Sequence, residues 1–215
     1  MNDLFSLITD ILAFFSNHGI DKLLHPAEYK TAGSAGERIF YRTLIKKFKI
    51  PEEQVLRNVY IPTRNGKTSE IDLILVSKKG IFVFEVKNYG GNIYGDATRE
   101  KWIQYLGSEK NYFYNPLLQN RNHAKYLDEF LKENRIEIKI TPLVTTISRG
   151  RWKIKNLGKK DYILGLNCHF KNIYNKMPES ESMRKNFNKI LKLLTPLSRP
   201  DEAIKEKHIR QLKTK

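Results

Sequence analysis

Residues 70–91 of the chain read EIDLILVSKKGIFVFEVKNYGG. Two runs of strand-forming apolar residues flank the tight turn at residues 77–80, which predicts an antiparallel pair of strands. Three charged residues interrupt these runs, Asp72 in the first and Glu85 and Lys87 in the second. Because a charge removed from water is costly unless it is paired or binds a metal, these positions mark a candidate site.

Strand periodicity gives the direction of these side chains. Alternate residues of a strand share a face, so Glu85 and Lys87 project together while Phe82 and Phe84 project the other way, into a core. Counting outward from the turn at residues 77–80 places Asp72 close to Glu85. Two carboxylates and an ammonium group are therefore predicted to converge at one end of the sheet.

This combination of groups suits metal-assisted hydrolysis of phosphodiesters. Neighbouring carboxylates repel each other unless a cation lies between them, and oxygen ligands with open positions suit Mg²⁺ or Mn²⁺. Such an ion activates water and neutralises a phosphoryl oxygen, and Lys87 can stabilise the developing negative charge. The structural alternative is an ordinary surface strand that carries a Glu–Lys pair.

The flanking sequence predicts further elements around this pair of strands. A helix over residues 34–49 is expected to have Ser34 at its N-cap and Glu37 at N3, the spacing of a capping box. Glu37 is the only charge on the apolar stripe of this helix, so it joins the site if the helix packs there. Asn115 and Pro116 are typical of a helix start, and this second helix is predicted to end near residue 132.

Hydrophobic patterning supplies the remaining elements. The chain is predicted to form strands at 54–61, 69–76, 81–87, 92–94, 101–106 and 139–147, with weaker signals for strands at 152–155 and 161–166 and for helices at 182–194 and 201–215. Because a helix separates the strand at 139–147 from the earlier strands, it is expected to pair in parallel.

The charge balance favours a polyanionic partner. The 215 residues include 39 Lys and Arg against 23 Asp and Glu, and residues 151–215 carry +11 of the net +16. Nucleic acid is the first candidate partner and an anionic membrane the second. Arg149, Arg151, Lys153 and Lys155 form a basic cluster that is predicted to contact nucleic-acid phosphates. The alternative is a solvated linker.

Cysteine content and the first residues limit the other classes. The single cysteine, Cys168, excludes an internal disulfide framework and a multi-cysteine zinc site, and it fits a reducing cytoplasm. Residues 2–17 have helical spacing but are too short and too interrupted to span a bilayer. They are expected to pack on the main domain, with a membrane-surface or dimerisation helix as the alternative.

The motifs in their order resemble the nuclease-related domain family of the PD-(D/E)xK nuclease superfamily over residues 31–147. The residues that carry the resemblance are Gly36-Glu37, Glu70-Ile71-Asp72, Gly80-Ile81, Glu85-Val86-Lys87-Asn88, Gly91, Gly95-Asp96, Trp102, Asn115-Pro116, Gln119 and His123. The resemblance implies an α/β fold with a restriction-endonuclease-like αβββαβ core and a mixed sheet. The N-terminal helix (1–30) and a basic C-terminal helical extension (151–215) would flank the domain at 31–150.

The same resemblance assigns roles to residues. Asp72, Glu85 and the carbonyl of Val86 match the metal ligands, and Glu37 matches an acid that can complete the metal site. Lys87 matches the catalytic lysine. Gln119 matches a supporting polar position, and His123, one turn further along the helix, is expected to flank the same cleft and to contact nucleic acid.

These observations predict a cytoplasmic, Mg²⁺- or Mn²⁺-dependent nuclease that acts on DNA without integral membrane association, as a homodimer or with a separate specificity partner. The alternative is a non-catalytic nucleic-acid-binding or assembly module that keeps the nuclease fold. Aromatic residues near the site leave choices open. Trp102 and Tyr105 either pack in the core or stack on bases, and residues 112–114 either form a loop anchored to the core or line a substrate groove.

Overall fold

The computed structural model describes residues 32–147, 150–165, 169–198 and 208–210. The sequence predictions for residues 2–17, Arg149, Cys168 and most of the tail at 201–215 lie outside these described residues. In chain order the elements are α1 (Ala32–Arg42), β1 (Val55–Pro62), β2 (Thr68–Ser77), β3 (Gly80–Lys87), β4 (Asn92–Asp96), β5 (Lys101–Leu106), β6 (Glu109–Tyr114), α2 (Pro116–Glu133), β7 (Ile140–Thr146), β8 (Arg151–Lys155), β9 (Ile163–Gly165), α3 (His169–Lys176) and α4 (Glu181–Leu194).

The larger sheet has the strand order β1-β2-β3-β7-β9. Strands β1 to β3 form an antiparallel meander, whereas β7 pairs in parallel with β3 because helix α2 carries the chain back across the sheet. Helix α1, this meander, helix α2 and strand β7 make the predicted αβββαβ core. The predicted mixed sheet and parallel pairing are therefore confirmed.

Both faces of the larger sheet are buried, which explains the nearly continuous apolar runs in β2 and β3. On one face, Ile81 and Val83 of β3 pack with residues of helices α2 and α4. On the other face, Phe82 and Phe84 pack with Phe40 of α1 and with helix α3. The alternation predicted for β3 is confirmed, and the face shared by Glu85 and Lys87 is the one covered by α2.

A second sheet has the strand order β6-β5-β4-β8, and its first strand in the chain, β4, follows β3 directly. Its inner face packs Ile93, Trp102 and Trp152 against Leu117 at the start of helix α2. Trp102 is fully buried, so the core-packing alternative for this residue is the correct one. Residues 112–114 lie in strand β6, so the expectation of a loop there was wrong.

The chain beyond residue 150 takes part in both sheets. Strand β8 pairs in parallel with β4, and β9 pairs in parallel with β7. Helix α4 packs Met183, Ile190 and Leu194 into the main core. None of the described helices combines the length and the apolar composition needed to cross a membrane.

Two features of helix α1 differ from the prediction. Ala32 and Gly33 already lie in the helix, so Ser34 is inside it and the predicted capping box was wrong. After Arg42 the chain continues as a wider π-helical turn over Thr43–Lys47. This turn still buries Leu44, so the apolar stripe of α1 reaches the sheet as predicted.

Candidate active site

Asp72 lies where strands β2 and β3 separate. The last backbone pair between them is Leu73 with Phe84, one residue before Asp72 and Glu85 would face each other. Beyond this pair, the backbone N–H of Val86 donates to Oδ2 of Asp72 at 2.7 Å. A side-chain carboxylate thus accepts from β3, and this hydrogen bond fixes Asp72 beside Glu85.

Lys87 bridges the strand and helix α2. Its Nζ lies 2.6 Å from Oε1 of Glu85, and it also donates to Oε1 of Gln119 at 3.3 Å. The Glu85 side chain is almost fully buried, and that of Lys87 is 17% exposed. The structure therefore brings together the predicted residues Glu85, Lys87 and Gln119 at one end of the sheet.

His123 lies one turn along α2 from Gln119 and faces into the protein. Its Nε2 is 3.3 Å from Oε2 of Glu85, and its Nδ1 is 2.7 Å from the hydroxyl of Ser69 on β2. The His123 side chain is only 14% exposed. The ring therefore connects β2 to the buried carboxylate, and its predicted contact with nucleic acid stays a prediction.

Glu37 approaches from helix α1, on the opposite face of the sheet from α2. Close packing sets its position, because a Cβ on Gly36 would lie 2.9 Å from the Cβ of Asn88 just after β3. The carboxylate of Glu37 accepts a 3.2 Å hydrogen bond from Nδ2 of Asn58. Helix α1 thus packs at the site end of the sheet, as the sequence argument required.

Asn58 distorts the sheet beside Asp72. Its φ of +48° places it in the left-handed region, which asparagine tolerates better than most residues. Nearby, Ile71 and Leu73 pack in different core clusters although they are two residues apart in one strand. The side-chain alternation of β2 therefore changes at Asp72, opposite Asn58.

The electrostatics of the site follow from burial and from crowding of like charges. Desolvation, and then the charges of Glu85 and Glu37, raise the pKa of Asp72 well above its ordinary value. Desolvation also raises the pKa of Glu37, against the hydrogen bond from Asn58. These two carboxyl groups therefore resist ionisation when no cation is present.

The pKa values of Glu85 and Lys87 shift in the directions that keep both groups charged, as in a stable ion pair. Burial alone would raise the pKa of Glu85, but the contacts with His123 and Lys87 outweigh it and lower that pKa. Burial alone would lower the pKa of Lys87, but the charges of Glu85 and Asp72 outweigh it and raise that pKa. At neutral pH Glu85 is thus an anion and Lys87 a cation.

The donor atoms of the site fit a hard divalent cation. Asp72 and Glu85 supply carboxylate oxygens, and Oε2 of Glu85 is buried without a hydrogen bond of good geometry among the described residues. The N–H and C=O of one strand residue point to the same neighbouring strand, so the carbonyl of Val86 lies on the Asp72 side as well. Within the described ranges no three His, Cys, Asp or Glu side chains form a ready-made metal cluster. Mg²⁺ commonly takes one or two protein carboxylates and completes its shell with water.

The described members of the basic cluster lie outside this buried site. Arg151, Lys153 and Lys155 alternate along β8 with the inward-facing Trp152 and Ile154, and all three cations are exposed. They therefore share the outer face of the second sheet, as alternate residues of one strand do.

Several motif residues hold the site in place from a distance. Asn115 caps α2 by accepting from the N–H of Leu117 at 2.9 Å, and its Nδ2 donates to the carbonyl of Arg99 at 2.8 Å. Gly95 lies under Trp102, where a Cβ would be 2.4 Å from the indole ring. These residues join the second sheet to helix α2, which carries Gln119 and His123.

Sequence reasoning missed three residues that organise the site. Asn58 holds Glu37, Ser69 holds His123, and the buried Asn120 donates to the carbonyls of Val83 and Leu143 at 2.9 Å each. An asparagine inside the strand pattern of β1 was the available signal for Asn58, because asparagine is rare in strands. The other two belong to contacts between distant segments and carried no local signal.

Comparison with known proteins shows the family of the chain. The family model described as "Nuclease-related domain" matches residues 32–147, more than half of the chain. The chain belongs to the nuclease-related domain family, and its α/β architecture is restriction-endonuclease-like.

One relative from Bacillus anthracis, described as an uncharacterized protein, is 36% identical over 104 residues. The match covers 48% of this chain and 49% of that protein, so the chain spans about half the length of this relative. No solved structure matches the chain.

Proposed function

We propose that the protein is a metal-dependent nuclease that hydrolyses phosphodiester bonds in DNA. The observation that carries the proposal is the convergence of Asp72, Glu85 and Lys87 at the separated ends of β2 and β3, with Gln119 on α2 completing the group. Membership of the nuclease-related domain family supports the same reaction class.

Asp72, Glu85 and the carbonyl of Val86 would hold a Mg²⁺ or Mn²⁺ ion, and Glu37 is the predicted additional acid. The raised pKa of Asp72 supports this assignment, because a divalent cation would relieve the repulsion between the carboxylates. When bound, such an ion supplies Lewis-acid polarisation of a phosphoryl oxygen and lowers the pKa of water.

Lys87 would act as a fixed positive charge. Its raised pKa keeps the ammonium protonated at neutral pH, so it serves to stabilise negative charge developing on the phosphoryl group, and general-base catalysis is a poor role for it. Gln119 accepts a hydrogen bond from Lys87 and would hold the ammonium in the orientation that faces the substrate. The low exposure of Glu85 and Lys87 strengthens these interactions.

The second candidate is a nucleic-acid-binding module without turnover. The contact between Lys87 Nζ and Glu85 Oε1, at 2.6 Å, favours it, because the ammonium already neutralises one of the predicted metal ligands. In this case the acids and the lysine would form a structural ion pair. Binding to nucleic acid would then be independent of metal.

A cleavage assay separates the two candidates. Wild type, Asp72→Asn and Lys87→Met are incubated with supercoiled, linear, single-stranded and branched DNA and with RNA, in Mg²⁺, Mn²⁺ or EDTA. The nuclease predicts cleavage by wild type that EDTA abolishes and that both variants lose by at least a hundredfold, the order expected for removing electrostatic stabilisation of a transition state. Metal-independent binding without cleavage would instead support the second candidate.

Lys185→Met is the matched control. Lys185 forms an equally close ion pair with Glu181 at 2.7 Å, but both side chains are more than two-thirds exposed on helix α4. This variant should cleave like wild type. A second readout is the melting temperature in Mn²⁺, which should rise for wild type and stay constant for Asp72→Asn because the ion stabilises only the state that binds it.

A further inference from the structure

The outer face of the second sheet carries tyrosines and cations in adjoining rows. In one row Tyr94 of β4 is paired with Lys153 of β8 on one side and with Ile103 of β5 on the other, and Ile103 is paired with Tyr112 of β6. In the next row the corresponding positions are Arg151, Asn92, Tyr105 and Lys110. We call this surface the tyrosine–lysine face, formed by Tyr94, Tyr105, Tyr112, Lys110, Arg151 and Lys153.

The core does not use this face. The opposite side of the same strands packs Ile93, Trp102 and Trp152 into a hydrophobic cluster that contains no residue of the tyrosine–lysine face. Tyr94 is 39% exposed and Tyr112 is 61% exposed. Large exposed aromatic residues grouped on a sheet indicate a binding surface.

The rings of Tyr94 and Tyr112 each have a cation close to them. Nζ of Lys153 lies 5.5 Å from the centre of the Tyr94 ring, and Nζ of Lys110 lies 5.1 Å from that of Tyr112. Tyr94 also contacts Tyr105 edge to face, with ring centres 5.7 Å apart. Asp96, at the far end of β4, accepts hydrogen bonds from Thr98 and Asn156. Among the residues that the structure describes, no carboxylate forms an ion pair with Lys110, Arg151 or Lys153, so the face offers aromatic surface and positive charge side by side.

We propose that the tyrosine–lysine face binds single-stranded nucleic acid. Unpaired bases expose aromatic faces that stack on tyrosine, while the phosphates between them meet the adjacent ammonium and guanidinium groups. A duplex keeps its bases stacked on each other and would use only the cations. The pairing of rings with cations thus favours a single strand over a duplex.

A short connection joins the sheet that carries the face to the candidate active site, because only residues 88–91 separate Lys87 from strand β4. A strand bound on the face would therefore lie on the sheet that directly follows Lys87 in the chain. Binding to the face requires no turnover. The inference rests on the proposed function only where it takes the bound strand to be the substrate.

The test is fluorescence anisotropy in EDTA, which removes any contribution from cleavage. The probes are a labelled oligothymidine of about 20 nucleotides, long enough for one stacking surface, and a labelled hairpin duplex of equal charge. Wild type should bind the single strand more tightly than the duplex. Tyr94→Ala with Tyr112→Ala should weaken oligothymidine binding at least tenfold and leave duplex binding unchanged.

Conservative variants separate stacking from loss of fold. Tyr94→Phe with Tyr112→Phe should bind oligothymidine like wild type because the rings remain. Lys153→Gln should weaken binding to both probes, whereas Lys185→Gln, which removes one charge from α4, should weaken neither by more than about twofold.

Three results would overturn the inference: equal or tighter binding to the duplex, wild-type affinity in the double alanine variant, or an equal loss in the double phenylalanine variant. Photocross-linking of a bromouracil-containing strand to wild type adds a readout that needs no substitution. Cross-linked peptides containing Tyr94 or Tyr112 support the inference, and cross-links confined to other surfaces contradict it. Failure of the nuclease proposal would appear separately, as absence of cleavage in Mg²⁺ or Mn²⁺.

Discussion

The backbone N–H of Val86 donates to the Asp72 carboxylate at 2.7 Å, immediately beyond the last backbone pair of strands β2 and β3. The carboxylate of Asp72 thus accepts a hydrogen bond from β3 beyond the point where the backbone pairing of β2 with β3 ends. This contact explains how a carboxylate with a raised pKa is kept inside the sheet end. Burial and the charges of Glu85 and Glu37 nevertheless make the charge of Asp72 a cost to the metal-free protein, because the hydrogen bond from Val86 offsets only part of their effect on its pKa.

We predict that Asp72→Asn raises the melting temperature of the metal-free protein at pH 7. Asparagine keeps an oxygen for Val86 but carries no charge, so the desolvation and repulsion that raise the pKa of Asp72 disappear. Each kcal/mol relieved should raise the melting temperature by about 2–4 °C in a chain of this size.

The stability gained by Asp72→Asn should depend on pH. An acid whose folded pKa is raised costs nothing below its ordinary pKa of 3.8, and the cost grows as the pH rises through the raised pKa. The gain from Asp72→Asn should therefore shrink on acidification. Asp96→Asn is the opposite control, because hydrogen bonds from Thr98 lower the pKa of Asp96 and its charge favours folding above 3.8. A gain for Asp72→Asn that is independent of pH would contradict the prediction.

Lys87 and Glu85 should be strongly coupled in stability. Lys87→Met leaves a buried carboxylate without its partner and should lower the free energy of unfolding by about 3–5 kcal/mol. Adding Glu85→Gln removes that charge and should recover part of the loss. Urea denaturation of both single variants and the double variant gives the coupling energy, expected at about 1–3 kcal/mol. Strict additivity of the two substitutions would refute a direct ion pair.

We predict that His123 positions Glu85 for metal binding. Removing the ring by His123→Ala frees the buried carboxylate of Glu85 and should weaken Mn²⁺ binding by about tenfold, as loss of outer-shell partners does in other metal sites. The measurement is the rise of melting temperature against Mn²⁺ concentration. Lys125→Ala, at a mostly exposed position two residues along the same helix, should titrate like wild type.

Asn58 should be replaceable by glycine more easily than by alanine. Both substitutions remove the hydrogen bond to Glu37, but alanine keeps a Cβ in the left-handed region and glycine has none, so Asn58→Ala should cost about 1–2 kcal/mol more than Asn58→Gly. Denaturant melts of the two variants give this difference. Equal stabilities would mean that β1 adopts ordinary strand geometry when Asn58 is absent.

Local patterns were sufficient to predict the meander, helix α2 and the placement of Asp72 beside Glu85. The reason is that the turn at residues 77–80 is short, so the register of β2 against β3 follows from counting outward from it. Asn115 and Pro116 likewise start α2 through contacts within a few residues. These features depend on contacts between residues that are close to one another in the sequence.

Contacts between distant segments could not be predicted in the same way. The hydrogen bond between Ser69 and His123 joins residues 54 positions apart, and the pairing of β8 with β4 joins segments about 60 residues apart. No spacing rule connects such residues, because their meeting depends on the assembled sheets. For the same reason the basic residues of β8 were recognised as a cluster but not as one face of a sheet.

Strand β8 lies outside the segment that matches the family model, yet its hydrogen bonds complete β4, and the ring of Trp152 rests 6.1 Å from that of Trp102. A fragment ending at Ile147 would expose the unpaired edge of β4 and uncover the indole of Trp102. Such a fragment would self-associate through that open edge. The segment that matches the family model therefore ends before the second sheet is complete, and a stable fragment should extend past Lys155.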